Sequence, residues 1–94
     1  MNDKQAYEKK LQAQLDEWSA EIDRLKARAT DLEADAQLEY NKRIEAIQTL
    51  QEAARERLGE LRKSSDDAWE DLKGGVDEAW TELEEAFLQA KSRF

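Results

Sequence analysis

Between residues 44 and 94, apolar side chains recur every eleven residues. The sequence DAWEDL at 67–72, for example, is followed by EAWTEL at 78–83. Eleven residues fill three helical turns of about 3.67 residues each, so the spacing predicts a nearly straight helix with one apolar face. The three series are Ile47, Leu58, Trp69 and Trp80; Leu50, Leu61, Leu72, Leu83 and Phe94; and Ala54, Ser65, Val76 and Phe87.

Residues 8–39 carry a seven-residue repeat instead, with apolar positions at alternating spacings of four and three. This is the a/d pattern of a left-handed coiled coil. Near Tyr40 the step from Ala36 to Ile44 is four plus four, which predicts a stutter where the supercoil unwinds. The a/d positions are Leu11, Leu15, Trp18, Ile22, Leu25, Ala29, Leu32 and Ala36.

Composition favours helix and argues against several kinds of chemistry. The 94 residues include no proline, cysteine or histidine, and 40% of them are charged. Without cysteine or histidine the chain cannot form disulfides, thiolate or imidazole metal sites, or a histidine acid and base. No catalytic motif is present, so we expect no enzyme activity, no cofactor, no metal site and no small-molecule substrate.

Two stretches could interrupt the helix. The sequence SSDD at 64–67 resembles a helix start, and Gly74 and Gly75 each disfavour a helix interior by about 1 kcal/mol. The apolar stripe nevertheless passes through both without losing its phase, from Leu61 through Ser65 and Trp69 and on to Val76. We therefore expect one long helix, with a helical hairpin turning near Ser64 and Ser65 as the alternative.

A continuous helix of this length would measure roughly 140 Å at about 1.5 Å per residue, too long to cover its own stripe. The expected fold is an all-α homo-oligomeric coiled coil or helical bundle with a single domain over residues 1–94, which closes as a bundle or extends as a filament. The predicted interface between copies consists of Leu11, Leu15, Trp18, Ile22, Leu25, Leu32, Tyr40, Ile44, Ile47, Leu50, Leu58, Leu61, Trp69, Leu72, Val76, Trp80, Leu83, Phe87 and Phe94.

Charge limits the partners. The net charge is -8, and residues 64–90 hold nine acidic residues against a single lysine. Such a segment repels nucleic acids and anionic membrane surfaces. The chain starts without the basic and apolar regions of a signal peptide and contains no apolar run of about 20 residues, so we expect a soluble cytoplasmic protein.

Several segments resemble a family of short bacterial coiled-coil proteins found in cyanobacteria and proteobacteria. They are KQAYEKKLQAQLDEW at 4–18, ADAQLEY at 34–40, DAWEDLK at 67–73 and the ending SRF at 92–94. Members of that family are described as coiled-coil or stress-response proteins. The resemblance implies a helical, stress-protective protein and brings no catalytic residue, cofactor or substrate.

Together these features predict a non-enzymatic structural or stress-protective protein that acts by helical self-assembly. The second candidate is an amphipathic peripheral protein that coats a lipid or storage-granule surface. Its tryptophans, Trp18, Trp69 and Trp80, would then enter that surface. Packing between helices is favoured for these three, because interfacial helices usually carry Lys and Arg on their polar face and this chain is acidic.

Overall fold

The computed structural model describes residues 2–93, which form three helices. Helix α1 spans Asp3–Ala29, helix α2 spans Ala34–Lys63 and helix α3 spans Trp69–Arg93. The chain runs up α1, down α2 and up α3, and the bundle measures 51 × 20 × 19 Å. Residues 2–93 contain no strand, so the prediction of an all-α chain is confirmed.

The prediction of one continuous helix is wrong. The chain turns at residues 30–33 and again at 64–68. Helices α1 and α3 both pack against α2. The second turn confirms the alternative, a hairpin near Ser64 and Ser65. Gly74 and Gly75, by contrast, lie inside α3 and do not interrupt it.

Local hydrogen bonds explain where α1 begins and ends. The Asn2 side chain accepts a hydrogen bond from the Gln5 backbone N–H at 2.9 Å, and the Gln5 side chain accepts one from Asn2 N–H at 3.4 Å. This reciprocal pair is a capping box. At the other end, Thr30 Oγ1 donates to the Ala27 carbonyl at 2.7 Å, and Lys26 and Arg28 lie in the last turn, where the helix dipole favours cations.

Two serines shape the turn between α2 and α3. Ser64 has an extended backbone (φ -74°, ψ 157°), and its Oγ donates to the Leu61 carbonyl at 2.5 Å. Ser65 Oγ accepts from the Ala68 backbone N–H at 3.2 Å. Because Ser and Thr hydroxyls can bond to backbone groups that a helix end leaves unpaired, these residues favour a break here over a continuing helix.

One core runs through the bundle, and its buried residues follow a seven-residue spacing in all three helices. In α2, buried positions alternate at steps of four and three from Tyr40 to Leu61, and in α3 the same steps run from Val76 to Ala90. A seven-residue spacing is typical of helices packed nearly side by side. The buried residues of all three helices form one cluster within the chain.

Gly74 offers a direct test of helix α3. A Cβ atom built on Gly74 would meet nothing within 4 Å, so Gly74→Ala removes the helix penalty of glycine at no steric cost. We expect the free energy of unfolding in urea to rise by about 0.5–1 kcal/mol. Gly75→Ala is the matched control, because its Cβ would lie 3.1 Å from the Arg57 guanidinium, so a smaller gain is expected. Loss of stability in Gly74→Ala would contradict the helical placement.

Candidate functional site

The edge between α1 and α3 differs from the other two edges of the bundle. Helix α2 packs closely against both of its neighbours, whereas α1 and α3 are bridged by large side chains. We call this edge the aromatic seam, and define it by five rings. They are Tyr7 and Trp18 on α1 and Trp69, Trp80 and Phe87 on α3.

Ring contacts hold the aromatic seam together at two levels. The centroids of Tyr7 and Trp69 lie 5.8 Å apart near the first turns of both helices. Further along, Trp18 lies 6.1 Å from Trp80 and stacks on Phe87 at 5.7 Å with an interplanar angle of 18°. Tilted and offset-stacked rings at these distances are favourable arrangements for aromatic pairs.

Polar groups border the first level of the seam. Lys73 Nζ lies over the Tyr7 ring at 5.2 Å and over the Trp69 ring at 5.9 Å, within the range of a cation–π contact. The Tyr7 hydroxyl donates to the Asp77 carboxylate. Burial, together with this hydrogen bond and the negative charge of Asp77, raises the pKa of Tyr7, so its hydroxyl remains a protonated donor.

The second level opens into a groove of about 390 Å³. Its polar wall is Glu21, whose carboxylate pairs with Arg24 Nη2 at 2.6 Å and Lys91 Nζ at 3.6 Å. The hydrogen bond from Arg24 is the main cause that lowers the pKa of Glu21, with Lys91 adding to it. Its apolar wall is Trp18 and Phe87.

The lowered pKa of Glu21 predicts a pH effect on stability. A carboxylate whose pKa is lower in the folded chain stabilises it above the unfolded value of 4.5, and this contribution is lost as pH falls through the folded pKa. We expect wild type to have a higher urea midpoint than Glu21→Gln at pH 7 and to lose this advantage progressively as the pH falls from 4.5 through the lowered pKa of Glu21. A difference independent of pH would show that Glu21 acts by packing alone.

Most of the predicted interface lies inside the single chain. Trp18, Leu32 and Leu50 are half-buried against the core, Leu72 is 36% exposed, and Phe94 lies outside the described residues. The remaining members are buried between the helices of one chain, and their burial by a second copy stays a prediction. They are Leu11, Leu15, Ile22, Leu25, Tyr40, Ile44, Ile47, Leu58, Leu61, Trp69, Val76, Trp80, Leu83 and Phe87.

Sequence reasoning missed one buried polar residue, Gln51. It is 6% exposed, and its Nε2 donates to Ser19 Oγ at 2.9 Å and to the Leu15 carbonyl at 3.3 Å. These bonds fix the register of α2 against α1, because a buried amide is favourable only where its partners are in place. Its spacing, four residues after Ile47, was the signal that could have placed it in the core.

Tyr7 was also missed, although it lies four residues before Leu11 and continues the apolar spacing of α1.

Two leucines, in contrast, lie outside the core although they are strongly apolar. Leu38 is 64% exposed and Leu88 is 60% exposed. Single exposed leucines are common on protein surfaces and do not by themselves mark a site.

Among residues 2–93, no group of acidic side chains has the arrangement of a metal site. Over the same residues, no helix combines the length and apolar character needed to cross a bilayer. The chain matches no known protein family, no curated protein and no solved structure. Function must therefore be argued from the bundle and its aromatic seam.

Proposed function

We propose that this protein is a non-enzymatic structural or stress-protective protein of the cytoplasm that acts by helical self-assembly. The observation that carries the proposal is the aromatic seam, the one edge of the bundle that is bridged by side chains instead of close helix packing. The stress-protective part of this proposal rests on the resemblance of residues 4–18, 34–40 and 67–73 to bacterial coiled-coil stress-response proteins.

Opening of the seam would create a surface that needs a partner. Separation of α3 from α1 brings Trp18, Trp80 and Phe87 into contact with water, and each large apolar side chain then forgoes about 1.5–3 kcal/mol of burial. A helix from a second copy offers the same kind of surface, so copies with open seams associate. The net charge of -8 opposes uncontrolled aggregation of the resulting assemblies.

The test is the mass of the purified protein as a function of concentration. Light scattering and sedimentation equilibrium should show a shift from one chain to a larger closed or extended assembly, and the melting temperature should rise with concentration by mass action. A control is Leu38→Gln with Leu88→Gln, which removes exposed leucines away from the core without changing the net charge and should leave assembly unchanged. A single-chain mass and a constant melting temperature throughout would refute the proposal.

A second function is favoured by the placement of the tryptophans. All three lie on the aromatic seam, so opening would present them together to an apolar surface such as a lipid or storage granule. Because the chain is acidic, this coat would suit an uncharged surface. Flotation with phosphatidylcholine vesicles tests this role. The readout is co-flotation and not a shift in tryptophan emission, because Trp69 and Trp80 are already buried in the closed bundle. Protein that stays with the dense fraction rules this role out.

A further inference from the structure

We propose that copies of this chain associate by exchanging helix α3. In the exchanged form, residues 64–68 become helical, α2 and α3 join into one helix, and α3 packs on the α1–α2 pair of a second copy. This inference rests on the proposed function, because it names the route by which self-assembly occurs. The partner of α3 in this form is a second copy of the chain, and the interface is the one that α3 already occupies in the closed bundle.

The first support is the phase of the buried residues across the turn. The eleven-residue spacing links core residues of α2 to core residues of α3: Leu58 to Trp69, and Leu61, by way of Leu72, to Leu83. A hairpin needs no such relation, since its two helices can rotate independently. A continuous helix needs it, because both segments must then bury the same face.

An exchanged dimer requires α2 and α3 to bury the same face of one continuous helix. In the closed bundle α3 runs antiparallel to α2 and packs against it. After exchange, α2 of one copy meets α3 of the other at one end of the dimer, and the roles reverse at the other end. Each fused helix therefore turns a single face to its partner along about 90 Å, and the two copies are related by a two-fold axis.

The turn itself is compatible with a helix. Residues 64–68 contain no glycine or proline, and no residue among the described ones has a positive φ. Ser64 already has φ -74°, a helical value, and differs from helix in its ψ of 157°. Continuing α2 therefore requires Ser64 to rotate to a helical ψ, and Ser65 then falls within the apolar stripe, eleven residues after Ala54.

Lys4 holds the closed form. Its Nζ donates to the Arg62 carbonyl at 3.2 Å and to the Ser64 carbonyl at 2.5 Å. In a continuous helix these two carbonyls would accept from the backbone N–H groups of residues 66 and 68. The ammonium at the start of α1 thus binds carbonyls that would accept helical hydrogen bonds after fusion, and it stabilises the turned conformation of residues 62–64.

Covalent trapping distinguishes exchange from any other dimer. The chain has no cysteine, so Ala46→Cys with Ala86→Cys supplies a unique pair, one on α2 and one on α3, in residues that line the same surface groove. A short bismaleimide reagent should join two chains in an exchanged dimer, seen as a dimer on denaturing gels. Native dimers that yield only internally linked single chains overturn exchange while leaving self-assembly intact. Absence of native dimers at every concentration overturns both.

Hinge variants give an independent measurement. Ser65→Pro forces Ser64 to stay extended, so the native dimer fraction should fall several-fold, whereas Ser65→Ala loses the same hydroxyl but permits a helix and should keep or raise it. Lys4→Gln should raise the dimer fraction by weakening the closed turn. Circular dichroism checks that each variant is folded. Unchanged dimerisation in both folded Ser65→Pro and Lys4→Gln would overturn the exchange.

Discussion

Replacing Trp80 with alanine is expected to lower the free energy of unfolding by about 3–5 kcal/mol, a large share of the stability of a small domain. Trp80 is 6% exposed and belongs to the one core that the three helices share. Its ring lies 6.1 Å from that of Trp18, so truncation leaves a cavity and removes an aromatic contact of the seam. Urea unfolding followed by far-ultraviolet circular dichroism measures the loss.

Trp80→Phe is the informative partner of this experiment. The indole Nε1 of Trp80 is buried and finds no acceptor among the described residues, and a buried donor without a partner disfavours folding by about 1–3 kcal/mol. Phenylalanine keeps a ring in the core and deletes this N–H. We therefore expect the free energy of unfolding to fall by no more than about 1.5 kcal/mol, because the loss of ring volume and the removal of the unpaired N–H oppose each other. A loss as large as that of alanine would show that the volume of the indole dominates.

The helical content of the chain was predictable because it depends on local properties. The absence of proline and the abundance of Ala, Glu, Leu and Lys favour helix along most of the chain, whatever the helices pack against. The turn at 64–68 was visible too, since Ser64 and Ser65 are residues that cap helix ends. The apolar stripe stays in phase across this turn, however, and that phase favours a continuous helix.

The turn at residues 30–33 was not predicted. Leu25, Ala29, Leu32 and Ala36 keep the spacing of four and three straight through it, so periodicity gave no sign of a break. The segment contains no glycine or proline, and Glu33 at the start of α2 forms no side-chain cap. Thr30 closes the last turn of α1 locally, and the packing of α2 back against α1 stabilises the turn, which a local pattern does not record.

Hydrophobic spacing also identified which residues are buried without identifying what buries them. Leu15 and Leu58 occupy core positions in either a rod assembled from many copies or a closed bundle. The aromatic seam, in contrast, depends on two residues more than sixty positions apart, such as Tyr7 and Trp69, becoming neighbours. Only the tertiary arrangement of α1 and α3 brings them together, so the candidate site could not be read from the sequence.

Two leucines that lie eleven residues apart allow an experiment that distinguishes a rod of many copies from a closed bundle. Leu61 and Leu72 belong to the same apolar series and are equivalent in a continuous rod. In the bundle they differ, since Leu61 is fully buried whereas Leu72 is 36% exposed. Leu61→Ala should therefore reduce the free energy of unfolding by about 2–5 kcal/mol, and Leu72→Ala by less than about 1 kcal/mol.

The comparison is made by urea unfolding at a concentration where the protein is a single chain, so that assembly does not contribute. Equal losses for the two variants would mean that both side chains are equally covered, as in a rod.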